Sequence, residues 1–316
     1  MKKIFNSRFH LIILYLLIIT AGIFLVNFYF LTPQESEVLN RRFPQGYRIV
    51  IPHVPDKVFM FGEEVPLKDS DIYERLEREI IVNTYWHSST ILMMQRAARW
   101  FPVIEPILEE NNIPDDFKYI AAIESGLDNV VSPVGATGFW QFMKGTAPKY
   151  GLEVRNEVDE RYNVEKTTKA AADYVKEAYD KFGSWATAAA SFNMGIDGVE
   201  KQIERQKTKN YYNMTLSDET LRYLFRAVAL KIIMTNPQNY GFDINEEKYY
   251  EPYDTYEVEV SEDVNDLAQW AIDRGINYKW LKILNPWLRD NELYVPEGKT
   301  YKIKLPEPES VYIIPE

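Results

Sequence analysis

The clearest hydrophobic pattern in the chain predicts a short helix that ends just before the middle of the sequence. Phe117, Ile120 and Ala121 fall at positions i, i+3 and i+4, so they form one apolar stripe. The next position of this stripe, i+7, is occupied by Glu124. Gly126 favours a helix end directly afterwards. The pattern therefore places a carboxylate where an apolar residue is expected, near the C-terminus of a helix.

This placement predicts a raised pKa for Glu124. Burial and the negative end of the helix dipole both disfavour the anionic form. A carboxylic acid that stays protonated near neutral pH is suited to general acid catalysis, including cleavage of a glycosidic bond. The alternative is that Glu124 lies at the margin of the stripe and reaches water, since long acidic side chains are rarely fully buried.

Helical periodicity continues over residues 71–245, which we predict to be one mostly α-helical domain of seven or more helices. Pro102 is expected to break the chain into two helices. Ser184 and Ser217 are expected to begin helices, and Gly183 to end one. The predicted helices are residues 72–86, 90–100, 103–110, 165–182 and 185–193, with a further helix after Ser217.

The C-terminal part has a different pattern. Residues 256–260 and 301–305 alternate between apolar and polar positions, which is typical of strands, and residues 264–274 and 278–284 resemble short helices. We therefore predict a small α+β domain with the order β-α-α-β at residues 253–306, followed by a tail at residues 307–316.

The N-terminus carries a long uncharged apolar segment. Residues 11–31 contain no charged side chain and follow Lys2, Lys3 and Arg8. A helix of this length spans the ~30 Å hydrocarbon core of a bilayer, and the basic flank favours the cytoplasmic side. We predict an uncleaved anchor at residues 1–31, with a cleaved signal peptide as the alternative. Residues 32–70 contain five prolines and are predicted to be a tether.

Composition excludes several classes of function. The 316 residues carry a net charge of −11, which argues against binding to nucleic acid. The chain has no cysteine, so disulfides and thiolate sites are excluded. The three histidines, His10, His53 and His87, lack the paired spacing of a metal site, and we expect no metal and no cofactor.

Three motifs follow one another in the predicted helical domain: ESGL with SPVGATGFWQFM at residues 124–127 and 132–143, SFNMG at residues 191–195, and DETLRY at residues 218–223. In this order they resemble the lytic transglycosylases of the soluble and membrane-bound D types. The resemblance covers roughly residues 70–240.

The resemblance implies a lysozyme-like fold and cleavage of the glycan strands of peptidoglycan. It implies that Glu124 acts as a single acid and base on the β-1,4 bond between N-acetylmuramic acid and N-acetylglucosamine. The C6 hydroxyl of the same sugar then closes a 1,6-anhydro ring. Asp128, the nearest second acid, is expected to be a turn or capping residue.

The same resemblance implies a set of substrate-binding residues: Ser132, Gln141, Met143, Phe192, Asn193 and Tyr223. Phe192 stands where the family has a tyrosine whose hydroxyl reaches the catalytic acid. Tyr223 or water is expected to replace that hydroxyl. Turn formation by Ser132 and core packing by Met143 are the structural alternatives.

The predicted C-terminal domain resembles the LysM peptidoglycan-binding module. Asn285 and the Leu293-x-x-Pro296-x-Gly298 segment fit that pattern. The usual Gly-Asp-Thr after the first strand is replaced by Glu-Asp-Val at residues 262–264, so binding of glycan by this module is left open.

Two other functions remain open at this point. One is a goose-type lysozyme hydrolase of the same fold, and the other is a non-catalytic scaffold that is anchored to the membrane and binds the cell wall. The anchored transglycosylase is expected in the inner membrane, with its catalytic domain in the periplasm.

Overall fold

The computed structural model describes residues 14, 15, 17–22, 49–245 and 248–308. The chain divides into two compact units, Met1–Ile51 and Pro52–Glu316. In the first unit, residues 14, 15 and 17–22 are helical. Most of the predicted anchor at residues 1–31 lies outside the described residues, as do most of the tether and the end of the tail. No helix within the described residues is long and apolar enough to cross a membrane.

The second unit is mostly helical, with a small strand-containing domain at its C-terminal end. Its helical part packs around one apolar core, in which Leu76, Ile104, Ile120, Ala188 and Leu230 are fully buried. The described helices of this part are α1 (Ser70–Tyr85), α2 (His87–Glu110), α3 (Lys118–Ser125), α4 (Val164–Phe182), α5 (Trp185–Met194), α6 (Ile196–Gln206) and α7 (Asp218–Thr235).

The predicted helix break at Pro102 is wrong. Helix α2 runs unbroken through both Pro102 and Pro106. A proline inside a helix removes a hydrogen bond and costs about 3 kcal/mol. Ile104 and Leu108 are buried at 0% and 1% exposure on the same helix. Burial of this apolar face offsets the proline cost, so tertiary packing overrides the local signal.

The predicted helix starts and stops hold elsewhere. The side chains of Ser184 and Ser217 cap α5 and α7 by accepting bonds from backbone N–H groups, and Asn163, which was not predicted, caps α4 in the same way. Gly183 ends α4 in the left-handed conformation at φ 76°. Helix α6 was not predicted, although Ile196, Val199 and Ile203 form an apolar stripe along it.

The described end of the proline-rich segment is part of the helical domain. Strands β1 (Phe59–Met60) and β2 (Glu63–Glu64) form a small antiparallel hairpin. Met60 and Val65 are each 1% exposed and belong to the main core. Glu63 accepts hydrogen bonds from the N–H groups of Trp185 (2.7 Å) and Ala186 (3.2 Å), so it caps α5 from outside that helix.

The C-terminal domain has the predicted β-α-α-β order. Strands β3 (Thr255–Val260) and β4 (Tyr301–Pro306) pair antiparallel, with Val258 opposite Ile303. Between them lie α8 (Leu267–Ile272) and α9 (Tyr278–Leu284). Buried Asn285 donates to the Lys304 carbonyl (2.7 Å) and accepts from the Lys304 N–H (2.8 Å), which ties the end of α9 to β4.

Candidate active site

Helix α3 places Glu124 in its last turn. Ile120 and Ala121, on the same stripe, are fully buried against the helical core. Gly126 follows as the left-handed C-cap at φ 65°, and its N–H bonds the Ala122 carbonyl. Packing of the apolar stripe therefore places the Glu124 carboxyl at the end of a buried helix. The Glu124 side chain is only partly exposed there.

Helix α7 supplies the direct partner of this carboxyl. The buried Tyr223 hydroxyl donates a hydrogen bond to Glu124 Oε1 at 2.5 Å. One turn further along α7, Arg226 Nη2 donates to the Ile123 carbonyl at 3.0 Å, which fixes the end of α3. Because Oε1 accepts the tyrosine hydroxyl, Oε2 is the oxygen on which an acidic proton can be presented to a ligand.

The surroundings of Glu124 favour its protonated form. Burial raises the pKa of Glu124 to about 7, and the negative charge of Glu219 acts in the same direction. The Tyr223 hydrogen bond and the positive charge of Arg226 partly oppose this shift. Burial and the neighbouring Glu124 also raise the pKa of Tyr223 well above its usual value, so this tyrosine remains a hydrogen-bond donor.

Glu124 lies in an open cleft between helices α1, α2, α3 and α7. At its rim, Trp86 is 61% exposed and Leu92 is 42% exposed. Such apolar faces beside charged groups are suited to a ligand with flat apolar and polar surfaces, as sugars have. The charged residues that line the cleft are Glu79, Arg96, Glu124, Glu219, Arg222 and Arg226.

A second carboxylate, that of Glu219, lines the same cleft. Its Oε1 accepts a hydrogen bond from Asn193 Nδ2 at 3.1 Å, and Asn193 Oδ1 accepts one from the Thr220 hydroxyl at 2.6 Å. These bonds join the end of α5 to the start of α7. Glu219 and Arg226 were missed by the sequence analysis, although Glu219 belongs to the DETLRY motif on which the resemblance was based.

The loop between α3 and α4 carries Ser132 and Gln141. The Ser132 hydroxyl accepts from the Ala136 N–H at 3.0 Å, which makes it part of a turn. Gln141 has a left-handed backbone at φ 49° and donates through Nε2 to the Gly138 carbonyl at 2.7 Å. Both side chains therefore have partners within the loop itself.

The remaining predicted residues differ in their exposure. Phe192 is partly buried, and its ring packs against Tyr174 (4.7 Å between centroids) and Trp140 (5.8 Å). Met143 is 43% exposed, so it is not a core residue. Asp128 forms an ion pair with Arg96 at 2.8 Å and accepts from the next N–H in the chain, which agrees with a turn role.

The structure thus brings some of the predicted residues together and leaves others apart. Glu124 contacts Tyr223, and Asn193 is linked to the cleft through Glu219. The residues Ser132, Gln141, Met143 and Phe192 are not among those that line this cleft.

Two family models match the chain. Residues 102–215 match the transglycosylase SLT domain, and residues 256–309 match the soluble lytic transglycosylase C-terminal LysM-like domain. The first match contains Glu124 and the loop that follows it. Within these ranges the chain therefore carries a transglycosylase SLT domain and a LysM-like domain of the soluble lytic transglycosylase type.

Curated relatives agree with this assignment. The chain is 26% identical over 241 residues to membrane-bound lytic murein transglycosylase D of Escherichia coli strain K12, and equally to that of strain CFT073. The alignment covers 73% of this chain and 52% of each relative, so the chain spans about half the length of these relatives. It is also 27% identical over 127 residues to a putative tributyltin chloride resistance protein of Alteromonas sp. strain M-1, which covers 40% of this chain and 61% of that protein.

Proposed function

We propose that this protein is a peptidoglycan lytic transglycosylase with a lysozyme-like catalytic domain at residues 71–245. The single observation that carries the proposal is the partly buried Glu124 carboxyl, held by Tyr223 in an open cleft with a pKa raised to about 7. Its location within the SLT match supports glycan strands of peptidoglycan as the substrate.

In the proposed reaction, Glu124 acts first as an acid and then as a base. Protonated Glu124 donates its proton from Oε2 to the glycosidic oxygen between N-acetylmuramic acid and N-acetylglucosamine, and the bond from that oxygen to C1 breaks. The C6 hydroxyl of the muramoyl sugar attacks C1 and returns its proton to the Glu124 carboxylate. A 1,6-anhydro end forms, no water is consumed, and Glu124 is protonated again. Intramolecular attack gains its advantage from proximity.

Tyr223 supports both halves of this cycle. Its hydroxyl donates to Oε1 whether or not Oε2 carries a proton, so the carboxyl keeps one orientation throughout. The hydrogen bond also stabilises the carboxylate that exists between the two proton transfers. This is the role that the absent hydroxyl at Phe192 is expected to have in the family.

The predicted substrate contacts remain part of the proposal. Ser132 and Gln141 would give up their hydrogen bonds within the loop and bond the acetamido or lactyl groups of the substrate instead. Exposed Met143 would pack on a sugar ring. Asn193 would hold an acetamido group and orient Glu219, while Phe192 would contact the substrate through its ring. Trp86, which we add, would offer an exposed ring for sugar stacking.

One observation favours hydrolysis as a second candidate. Glu219 is an exposed carboxylate in the cleft of Glu124. A glycoside hydrolase that inverts the configuration at the anomeric carbon uses such a carboxylate to activate water. Asn193 donates to Glu219 in the described structure, which holds this carboxylate in a fixed orientation. The product decides between the two functions.

Mass spectrometry of the fragments released from purified sacculi tests the proposal. Transglycosylation gives 1,6-anhydro-muramoyl ends, whereas hydrolysis gives reducing ends that are heavier by one water. If Glu219 does not activate water, the Glu219→Gln variant should still release anhydro products. If instead the wild type releases only reducing ends and Glu219→Gln releases none, the protein is a hydrolase and the proposal is wrong.

We also propose that residues 1–31 anchor the protein in the inner membrane, with the catalytic domain in the periplasm. The uncharged segment at residues 11–31 and its basic flank support this proposal. Fractionated cells should contain the full-length protein in the membrane, and protease should reach its bulk only after the outer layer is permeabilised. A shortened soluble form would show that the segment is a cleaved signal peptide.

A further inference from the structure

We propose that the C-terminal LysM-like domain positions the loop of residues 130–142, and that Arg161 is the positioning residue through which it acts. The inference rests on the proposed function, since this loop carries Ser132 and Gln141. The connection runs through residues 157–162, which contact the loop on one side and the LysM-like domain on the other.

Arg161 joins two parts of the loop that are apart in the chain and close in space. Its buried Nη1 donates to the Gly135 carbonyl at 3.1 Å and to the Phe142 carbonyl at 3.2 Å. Its Nε and Nη2 donate to the two carboxylate oxygens of Asp159, at 2.9 and 2.7 Å. Asp159 therefore fixes the plane of the guanidinium, and the guanidinium holds the backbone at Gly135 close to the backbone at Phe142.

The loop backbone also docks directly on this segment. At Gly138, which has φ 80°, a Cβ atom would lie 1.9 Å from the Arg161 carbonyl oxygen, so no side chain can be accommodated there. Asn129, just before the loop, donates through Nδ2 to the Tyr162 carbonyl at 3.2 Å. The loop therefore takes its position from the main chain of residues 161 and 162 as well as from the Arg161 side chain.

The other side of the same segment belongs to the LysM-like domain. Asp159 donates its N–H to the Trp287 carbonyl at 2.9 Å, and Glu157 accepts from the Arg289 N–H at 2.7 Å. Val158 between them is fully buried, and it packs in the apolar core of the LysM-like domain rather than in the helical core. Asp159 thus bonds the LysM-like domain through its backbone and Arg161 through its side chain.

Further contacts join the helical domain to the LysM-like domain. Glu153 pairs with Lys299 at 2.5 Å and accepts from the Tyr301 hydroxyl at 2.9 Å. The guanidinium of Arg289 lies 4.0 Å from the centre of the Tyr162 ring. A domain tethered only by a flexible linker would not share a core residue and main-chain bonds with its neighbour. The contacts instead make the LysM-like domain a support for the substrate loop.

Hydrogen exchange of the full-length protein, measured without glycan, tests this inference independently of activity. Arg161→Lys keeps the charge but has its donors on one nitrogen, which cannot serve both Asp159 oxygens and both carbonyls, so we expect amide exchange in residues 130–142 to accelerate by about tenfold. Val158→Ala, a change made on the LysM-like side, should accelerate the same amides. Lys302→Ala, which removes an exposed pair with Glu257 in the same domain, is the matched control and should leave the loop unchanged.

Kinetics on soluble uncrosslinked glycan strands provide the second measurement. A displaced loop should raise KM several-fold for both Arg161→Lys and Val158→Ala. The pH range over which the rate falls with rising pH should not change, since Glu124 and Tyr223 are untouched. Unchanged loop exchange and unchanged KM in both variants would overturn the inference. If Arg161→Lys does not fold, Val158→Ala alone decides, and wild-type loop exchange in that variant would overturn the inference. Failure of the proposed function would appear differently, as a lack of anhydro products from the wild type.

Discussion

Glu79 and Glu124 line the same cleft together with Glu219, and the surroundings of the first two differ. Glu79 on α1 is 1% exposed, and its carboxylate is held by Arg222 at 2.6 Å and by Arg78 at 2.9 Å. Glu124 at the end of α3 is partly buried and has a neutral tyrosine hydroxyl as its direct partner, with no ion pair among the described residues. Arg226 acts on it only from a distance, because that guanidinium bonds the Ile123 carbonyl.

The comparison teaches that burial alone does not produce an acid catalyst. A buried carboxylate that is paired with arginine is part of an ion pair that the fold depends on, because removal of either partner leaves an uncompensated buried charge. A desolvated carboxylate with a neutral partner keeps its proton to about pH 7 and can release it. The two sites therefore predict opposite results from mutation: loss of activity at Glu124 and loss of stability at Glu79.

The largest effect is expected for Glu124→Gln. This change keeps the shape of the side chain and removes the proton, so turnover of purified sacculi should fall at least ~10²-fold, the usual scale for loss of a general acid. The protein should remain folded by circular dichroism. Glu74→Gln, on the exposed side of α1, is the control and should retain full activity. Near-wild-type cleavage by Glu124→Gln would remove Glu124 as the acid, and the proposed mechanism with it.

Breaking the other site should cost stability. Arg222→Met leaves the buried Glu79 carboxylate with Arg78 alone, and we expect the free energy of unfolding to fall by about 3 kcal/mol in denaturant titrations. The matched control is Arg75→Met, which breaks a pair of the same 2.6 Å length on the surface of α1 and should cost less than about 0.5 kcal/mol. Equal losses in the two variants would mean that burial of Glu79 has no energetic consequence.

Glu124 and Glu79 also show which features of a site can be predicted from the sequence. The stripe of Ile120 and Ala121 and the stop at Gly126 are local features, and the structure has both. Glu79 also falls on an apolar stripe, three positions after Leu76, and its pairing with Arg222, 143 residues away, distinguishes it from Glu124. No local pattern contains that pairing.

The domain organisation also depends on contacts between distant parts of the chain. Val54 and Val65 lie in the segment predicted to be a tether, and both pack into the helical core. Val158 lies in the middle of the region predicted to be catalytic but packs in the LysM-like core. Deletion of the LysM-like domain is therefore expected to expose apolar surface on the helical domain, contrary to a simple division into separable modules.

The pH dependence of stability sharpens the comparison further. The folded-state pKa of Glu124, about 7, lies above its ordinary value of 4.5, so wild-type stability is lost as the pH rises between these two values. Glu124→Gln has no such loss. Its free energy of unfolding should exceed that of the wild type by about 2 kcal/mol at pH 8, after allowance for the partial exposure of the carboxyl, and by much less at pH 5. An identical difference at both pH values would show that Glu124 does not titrate in this range.

The smallest effects concern the neighbours that adjust the pKa of Glu124. The Tyr223 hydrogen bond lowers this pKa and the Glu219 charge raises it. Since only protonated Glu124 can donate, the rate should fall with rising pH on a basic limb that follows the pKa. Tyr223→Phe should therefore move this limb to higher pH and Glu219→Gln to lower pH, each by less than about one pH unit. Rates of sacculus digestion between pH 5 and 9 measure both, and the position of the limb is independent of any fall in the maximal rate. Two shifts in the same direction would show that these side chains act on the cleft by some route other than the charge of Glu124.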